Sequence, residues 1–148
     1  MDLKKYKHIH FVGIKGVGVA PLAIYAKELG ISVSGSDIED DFITDEVLRT
    51  KGISWTVGFV PNDVPTKSDL VIATGAHGGM DNPQVMAAKE KGIPVWMQGE
   101  AVGKFMEGHF GISVIGSHGK TTTAGMLATL LAKAGLDPSY IVGSGSVR

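Results

Sequence analysis

The stretch His8-Ile9-His10-Phe11-Val12-Gly13-Ile14-Lys15-Gly16-Val17-Gly18 decides the fold. Five residues suited to a strand run directly into Gly13, Gly16 and Gly18, and a helical pattern follows. From about Val17 to Leu29 the apolar residues Val19, Leu22, Ala23, Ala26 and Leu29 recur at helical spacing, with Gly30 as a stop. Pro21 falls in the first turn of that helix, where a missing N–H costs little. A strand, a glycine turn and a helix in this order begin a parallel α/β sheet. The same arrangement presents the unpaired amides and partial positive charge of a helix N-terminus to a phosphate. The spacing departs from the dinucleotide fingerprint G-x-G-x-x-G, because Lys15 stands where that pattern has glycine and a glycine sits at 16 instead. Two readings are therefore open for Gly13 to Gly18: a phosphate cradle, or tight-turn chemistry alone.

Outward from this stretch, β-rich runs and helical patterns alternate, as expected for βαβ units flanking a Rossmann-like parallel sheet. Ile31-Ser32-Val33-Ser34-Gly35 reads as the second strand, Asp45 to Lys51 as a short helix closed by Gly52, and Ile53-Ser54-Trp55 as the third strand. Leu70-Val71-Ile72-Ala73 is a continuous apolar run suited to a strand covered on both faces. Pro83 to Lys91 reads as a helix ending at Gly92. Ile93-Pro94-Val95-Trp96-Met97 is the fifth strand, and its proline points to an edge or strand-start position. Asp37, 24 residues after Gly13, lies where a dinucleotide fold places a ribose-binding acid, and it serves equally as a turn or N-cap aspartate.

The pattern restarts near Gly108. Ile112-Ser113-Val114-Ile115 reads as a strand, Lys120 to about Lys133 as a helix, and Tyr140-Ile141-Val142 as a further strand. Between the first two lies Gly116-Ser117-His118-Gly119-Lys120-Thr121-Thr122-Thr123, a shortened P-loop with Val114 where the full G-x-x-x-x-G-K-[ST] form has glycine. Gly-Lys-Thr at a helix start gathers backbone amides, one ammonium and one hydroxyl around a polyphosphate and its magnesium. His118 is open to two readings, a substrate contact or a loop histidine satisfied by its neighbours. Two units follow from this pattern: residues 1–107, and 108–148 as the truncated opening of a second domain.

Composition narrows the class. A formal net charge of -1 and a charged fraction of 20% give no basic surface for nucleic acid and no membrane-binding face. No apolar run reaches the roughly 18 to 20 residues of a bilayer span, and the basic start Met1 to Lys7 leads into no signal peptide. The chain has no cysteine, hence no disulfide framework and no thiolate metal site. A cytoplasmic protein is expected.

Two nucleotide-type loops in this order, about a hundred residues apart, resemble the Mur ligase family. The carrying residues are the first loop, Ser34-Gly35-Ser36-Asp37, Ala73-Thr74-Gly75-Ala76, Asn82-Pro83, Ile93-Pro94-Val95 and the second loop, so the likeness spans nearly the whole chain. The resemblance implies an ATP-dependent ligase that joins an amino acid or peptide to UDP-N-acetylmuramate through an acyl phosphate, in peptidoglycan synthesis or recycling. It implies a UDP-sugar or UDP-linked muropeptide at Gly13, Ile14, Lys15, Gly16, Val17, Gly18, Ser36, Asp37, Thr74, Gly75 and Ala76. It implies ATP at Gly116, Ser117, His118, Gly119, Lys120, Thr121 and Thr122, with magnesium on Thr121 and no redox cofactor.

Departures from the family pattern touch specificity. Lys15 replaces a glycine, and its ammonium points either to the diphosphate or to solvent. Phe59 stands where relatives often carry histidine, and His77-Gly78-Gly79-Met80-Asp81 is not the usual serine-rich form. Glu100 reads as a surface carboxylate at a helix start. Only 28 residues follow Lys120, so a fragment that binds without completing catalysis is expected, with an unpaired sheet edge from Ile112 that packs back or forms a homodimer. The rival readings are an NAD-binding Rossmann oxidoreductase or redox-sensing module, and a non-catalytic nucleotide-binding scaffold.

Overall fold

The computed structural model describes residues 3–143; the outer ends of the two expected units, residues 1–2 and 144–148, lie outside the described residues. Five strands, β1 (His8–Val12), β2 (Ser32–Asp37), β3 (Thr56–Val57), β4 (Leu70–Ala73) and β5 (Val95–Met97), form one sheet in the order β3-β2-β1-β4-β5. Every pairing is parallel. Helices α1 (Ala20–Glu28), α2 (Asp45–Thr50), α3 (Pro83–Glu90) and α4 (Gln98–Met106) accompany the sheet, and α5 (Lys120–Lys133) follows the second glycine loop. Among the described residues no helix is long and apolar enough to cross a membrane.

Strand alternation divides the core. Ile9, Phe11, Leu70 and Ile72 pack with Leu22, Ala23 and Ala26 of α1, and with Ala101 and Phe105 of α4. Val12, Val71 and Ala73 pack with Val85 and Ala88 of α3 on a second cluster. All four residues of β4 are buried, as its unbroken apolar run requires of a strand covered on both faces. β5 is an edge strand, so Pro94 costs no ladder bond; its carbonyl still accepts from the Val71 amide at 2.9 Å.

Several boundaries differ from the expected ones, each for a local reason. α1 begins at Ala20 rather than Val17, because the Gly16 carbonyl takes the amides of both Val19 and Ala20 and holds residues 14–19 as turns. β3 is Thr56–Val57 rather than Ile53–Trp55. Ile53 closes the end of α2 instead, its amide bonded to the Leu48 carbonyl at 2.9 Å and its side chain buried. The expected strands Ile112–Ile115 and Tyr140–Val142 have no neighbouring strand among the described residues and are not strands. The helix at Gln98–Met106 is not among the expected elements, although Glu100 does lie in its first turn, half-exposed and 3.9 Å from Lys104.

Candidate functional site

β1, β2 and β3 run to one side of the sheet, and β4 and β5 to the other, so the chain reverses direction between β1 and β4. In open α/β sheets such a switch point leaves a crevice at the carboxyl ends of the strands. Two loops meet there. Gly13 adopts φ +77°, and a Cβ on it would lie 2.4 Å from Cγ2 of Thr74, so only glycine lets the β1 and β4 loops touch. Thr74 donates its amide to the Val12 carbonyl at 3.0 Å, and Gly75, Ala76 and His77 beyond it are exposed.

The first loop divides into a structural half and an open half. The amides of Gly13 and Ile14 both donate to the Ser36 carbonyl, Lys15 donates to Asp37 Oδ2 at 2.7 Å, and Gly16 donates to the Gly13 carbonyl. The amides of Val17 and Gly18 have no acceptor among the described residues. They belong to the solvent-facing part of the loop, immediately before α1. The residues available to an anion are thus narrower than the whole of Gly13 to Gly18: the backbone of Val17 and Gly18, where the α1 dipole adds its favourable field.

Lys15 is corrected on both of its open readings. It is 1% exposed, and its ammonium faces neither solvent nor the crevice. Nζ donates to the Asp40 carbonyl, lies 3.7 Å from Asp45 Oδ2, and sits over the rings of Phe42 and Trp55 at 4.8 and 5.6 Å. Thr44 Oγ1 donates to the Lys15 carbonyl. The side chain therefore clamps the 38–45 segment against the first loop. Removing one partner of a buried ion pair strands the other, so Lys15→Met is expected to cost about 3 kcal/mol in urea unfolding. A second change, Asp45→Leu, should recover most of that loss, and equal effects of the single and double variants would contradict the clamp.

Asp37 is 1% exposed, with Oδ2 accepting from Lys15 and Oδ1 accepting from the Ile38 amide at 2.8 Å. Of its two readings, the turn-building one describes this geometry: the carboxylate closes the loop rather than waiting for a diol. Ser36 is also turned inward, its Oγ donating to Gln84 Oε1 at 2.5 Å, so its side chain is not offered to a ligand. His77 Nε2 lies 3.8 Å from Asp37 Oδ1, and its ring packs on Phe59 with centroids 5.1 Å apart. Phe59 and His77 thereby bring the segments after β3 and β4 into contact.

Gln98 and Gln84, not singled out in the sequence, complete the site together with Asn82, which was. Gln98, at the carboxyl end of β5, donates through Nε2 to the Gly18 carbonyl at 3.3 Å and would meet a Cβ on Gly18 at 2.9 Å. Gln84 and Asn82 brace the crevice from below: Asn82 Oδ1 caps α3 at the Gln84 amide, and its Nδ2 holds the His77 carbonyl at 2.9 Å. The available signal was a glutamine inside an otherwise apolar helix face.

The second loop stands apart; no hydrogen bond joins it to the first among the described residues. Gly119 takes φ +75° at the N-cap of α5. Among the described residues the amides of Ser117 to Thr122 have no backbone acceptor, and Lys120 Nζ donates to the carbonyls of Gly116 and Ser117 at 2.6 and 3.2 Å. Thr121 stands at the first turn of the helix. This donor set, an amide-lined turn with one ammonium and one hydroxyl, fits a polyphosphate and its magnesium.

Known proteins carry the same arrangement. Residues 8–110 match the Mur ligase family, catalytic domain. UDP-N-acetylmuramate–L-alanine ligase of Paraburkholderia phytofirmans is 39% identical over 93% of the chain, and that of Thiobacillus denitrificans is 38% identical over 93%. The chain spans 29% of the length of these relatives. The crystal structure of UDP-N-acetylmuramate–alanine ligase from Thermotoga maritima superposes with a TM-score of 0.83 at 31% identity, covering 93% of this chain and 32% of that one. The UDP-N-acetylmuramate:L-alanyl-γ-D-glutamyl-meso-diaminopimelate ligase of Neisseria meningitides superposes with a TM-score of 0.80 at 36% identity, covering 93% and 43%. Family match, sequence relatives and superposed structures thus agree, and the chain belongs to the Mur ligase family.

Proposed function

We propose that this chain carries the UDP-N-acetylmuramate-binding part of a cytoplasmic, ATP-dependent ligase that joins an amino acid, L-alanine, or a peptide to that sugar nucleotide. The observation that carries the reading is the pair of unsatisfied amides, Val17 and Gly18, at the opening of α1 beside the switch point. Neither amide is taken up by the described residues, and at a helix opening a diphosphate accepts from both. Residues up to about 107 form the UDP-sugar unit, in which Val17 and Gly18 face the diphosphate and Thr74 to Ala76 line the opposite wall.

Residues from 108 form the ATP-binding unit. Gly116 to Thr122 surround the phosphates, Lys120 offsets their charge and Thr121 provides a magnesium ligand. When bound, ATP with its magnesium supplies the phosphoryl group that activates a substrate carboxylate. The nicotinamide alternative loses its main support, because the carboxylate a ribose diol would need is buried and bonded to the Lys15 and Ile38 amides.

Calorimetric titration separates the readings. UDP-N-acetylmuramate and UDP are expected to bind the 148-residue chain with a common dependence on the diphosphate, while NAD gives no heat. Saturable NAD binding with none for UDP would reverse the assignment.

A further inference from the structure

On the α3 side of the sheet, β1 and β2 carry a continuous chain of side-chain hydrogen bonds. His8 Nδ1 contacts Ser32 Oγ at 3.0 Å and His8 Nε2 contacts Ser34 Oγ at 2.8 Å. Ser34 Oγ in turn contacts His10 Nδ1 at 2.8 Å, and His10 Nε2 contacts Gln84 Oε1 at 3.3 Å. Gln84 Nε2 ends the chain on the Val60 carbonyl at 3.0 Å.

One direction of donation satisfies every member. A carbonyl only accepts, so the Gln84 amide nitrogen must face Val60 and its oxygen must face His10 and Ser36. His10 then carries its proton on Nε2, and its Nδ1 accepts from Ser34. The Ser34 proton being used, His8 must donate from Nε2, and its Nδ1 accepts from Ser32. Both imidazoles are neutral and of one tautomer, in keeping with the burial that pushes His10 down to about 4.

The chain ends where the crevice is built. Val60 adjoins Phe59, and beside it the Gln84 backbone N–H is capped by Asn82, whose Nδ2 holds the carbonyl of His77. His77 sits at φ +53°, a backbone conformation a non-glycine residue keeps only when its surroundings fix it. We propose that the Gln84 side chain is a positioning residue for the nucleotide crevice, tethering the Phe59 side through the Val60 carbonyl, while Asn82 holds the His77 side independently of it. This rests on the reading that the crevice takes a uridine nucleotide. Gln84 touches no ligand; it holds the segment after β3, and with it the Phe59 ring that packs on His77.

The test combines nitrogen-15 spectra of the histidine rings with UDP titration of the full 148-residue chain. In the wild type, both His8 and His10 are expected as the Nε2–H tautomer at neutral pH. Gln84→Glu keeps an acceptor for His10 and Ser36 but loses the donor to Val60, whereas Gln84→Met loses both. With a hydrogen bond worth about 1 kcal/mol and 1.4 kcal/mol per tenfold, Gln84→Met is expected to weaken UDP about ten-fold and to release His10 into a tautomer mixture. Gln84→Glu should weaken UDP by roughly five-fold, on the same scale, with the His10 tautomer preserved.

UDP affinity equal to wild type in either folded variant, or an Nδ1–H tautomer at His10 in the wild type, overturns the assignment. If Gln84→Met does not fold, the Glu variant and the wild-type spectrum still decide. Absence of UDP binding to the wild type would instead sink the crevice reading itself, a result distinct from an indifferent Gln84.

Discussion

Gly35→Ala is expected to destabilise the chain by about 3 kcal/mol, at the upper end of what an inserted core methyl costs. Gly35 pairs with Phe11 in the centre of the sheet. A Cβ there would lie 2.6 Å from Cδ1 and 2.8 Å from Cβ of Ile14, and 2.8 Å from the Phe11 carbonyl oxygen. The carbonyl cannot move without breaking β1, and Ile14 is fully buried in a close-packed interior. Relief can come only by lifting Ile14, which carries the first glycine loop with it. The variant should therefore lose UDP affinity together with stability. Gly103→Ala is the matched control: Gly103 lies within α4 with nothing within 4 Å of an added Cβ. There the change should stabilise by about 0.5–1 kcal/mol through helix propensity alone. Urea midpoints that shift alike for the two variants would contradict the close approach of the loop to β2.

Stability is expected to fall by roughly 3 kcal/mol between pH 6.5 and 4, from the displacement of one buried histidine at 1.36 kcal/mol per unit. Burial holds His10 at about 4 against an ordinary value of 6.5, with the hydrogen bond to Gln84 opposing. In this window the unfolded chain binds the proton and the folded chain does not, so stability rises with pH. The contribution is complete above 6.5 and is lost as pH falls toward 4. His8 moves in the same direction, through burial and then Lys67, and adds to the slope. Asp69 is held below its ordinary 3.8 by the amides of His8 and Lys7, so its loss begins only below that pH. Chemical denaturation across the range checks the slope, and His10→Gln should flatten it. A wild-type stability that stays level from pH 6.5 to 4.5 would remove His10 from the account.

What could be read from the sequence was what depends on neighbours along the chain. β1, the glycine turn and the apolar run of β4 each declare themselves through residues within a few positions. So does α3, whose Asn82 cap and Pro83 start are local signals. Lys15 resisted because its partners, Asp40, Phe42, Asp45 and Trp55, arrive 25 to 40 residues later and meet it only after α2 folds back. The same holds for Asp37, which could be a ligand group or a turn anchor until the Lys15 amide was placed against it. One long-range feature did leave a trace. His8, His10, Ser32, Ser34 and Ser36 recur at alternate positions in strands destined for burial, and a polar stripe on a buried face must be hydrogen-bonded. The second unit shows the reverse. Ile112–Ile115 has the composition of a strand, yet a strand exists only when a neighbour pairs with it, and Ile115 remains 88% exposed.

The claim on which the account depends is that the amides of Val17 and Gly18 receive the diphosphate of a uridine nucleotide. A crystal of the chain soaked with UDP tests it most directly. The account predicts the diphosphate over the opening of α1, within hydrogen-bonding distance of those two amides and facing Thr74 to Ala76. A diphosphate bound elsewhere, with Val17 and Gly18 still open to water, would contradict it.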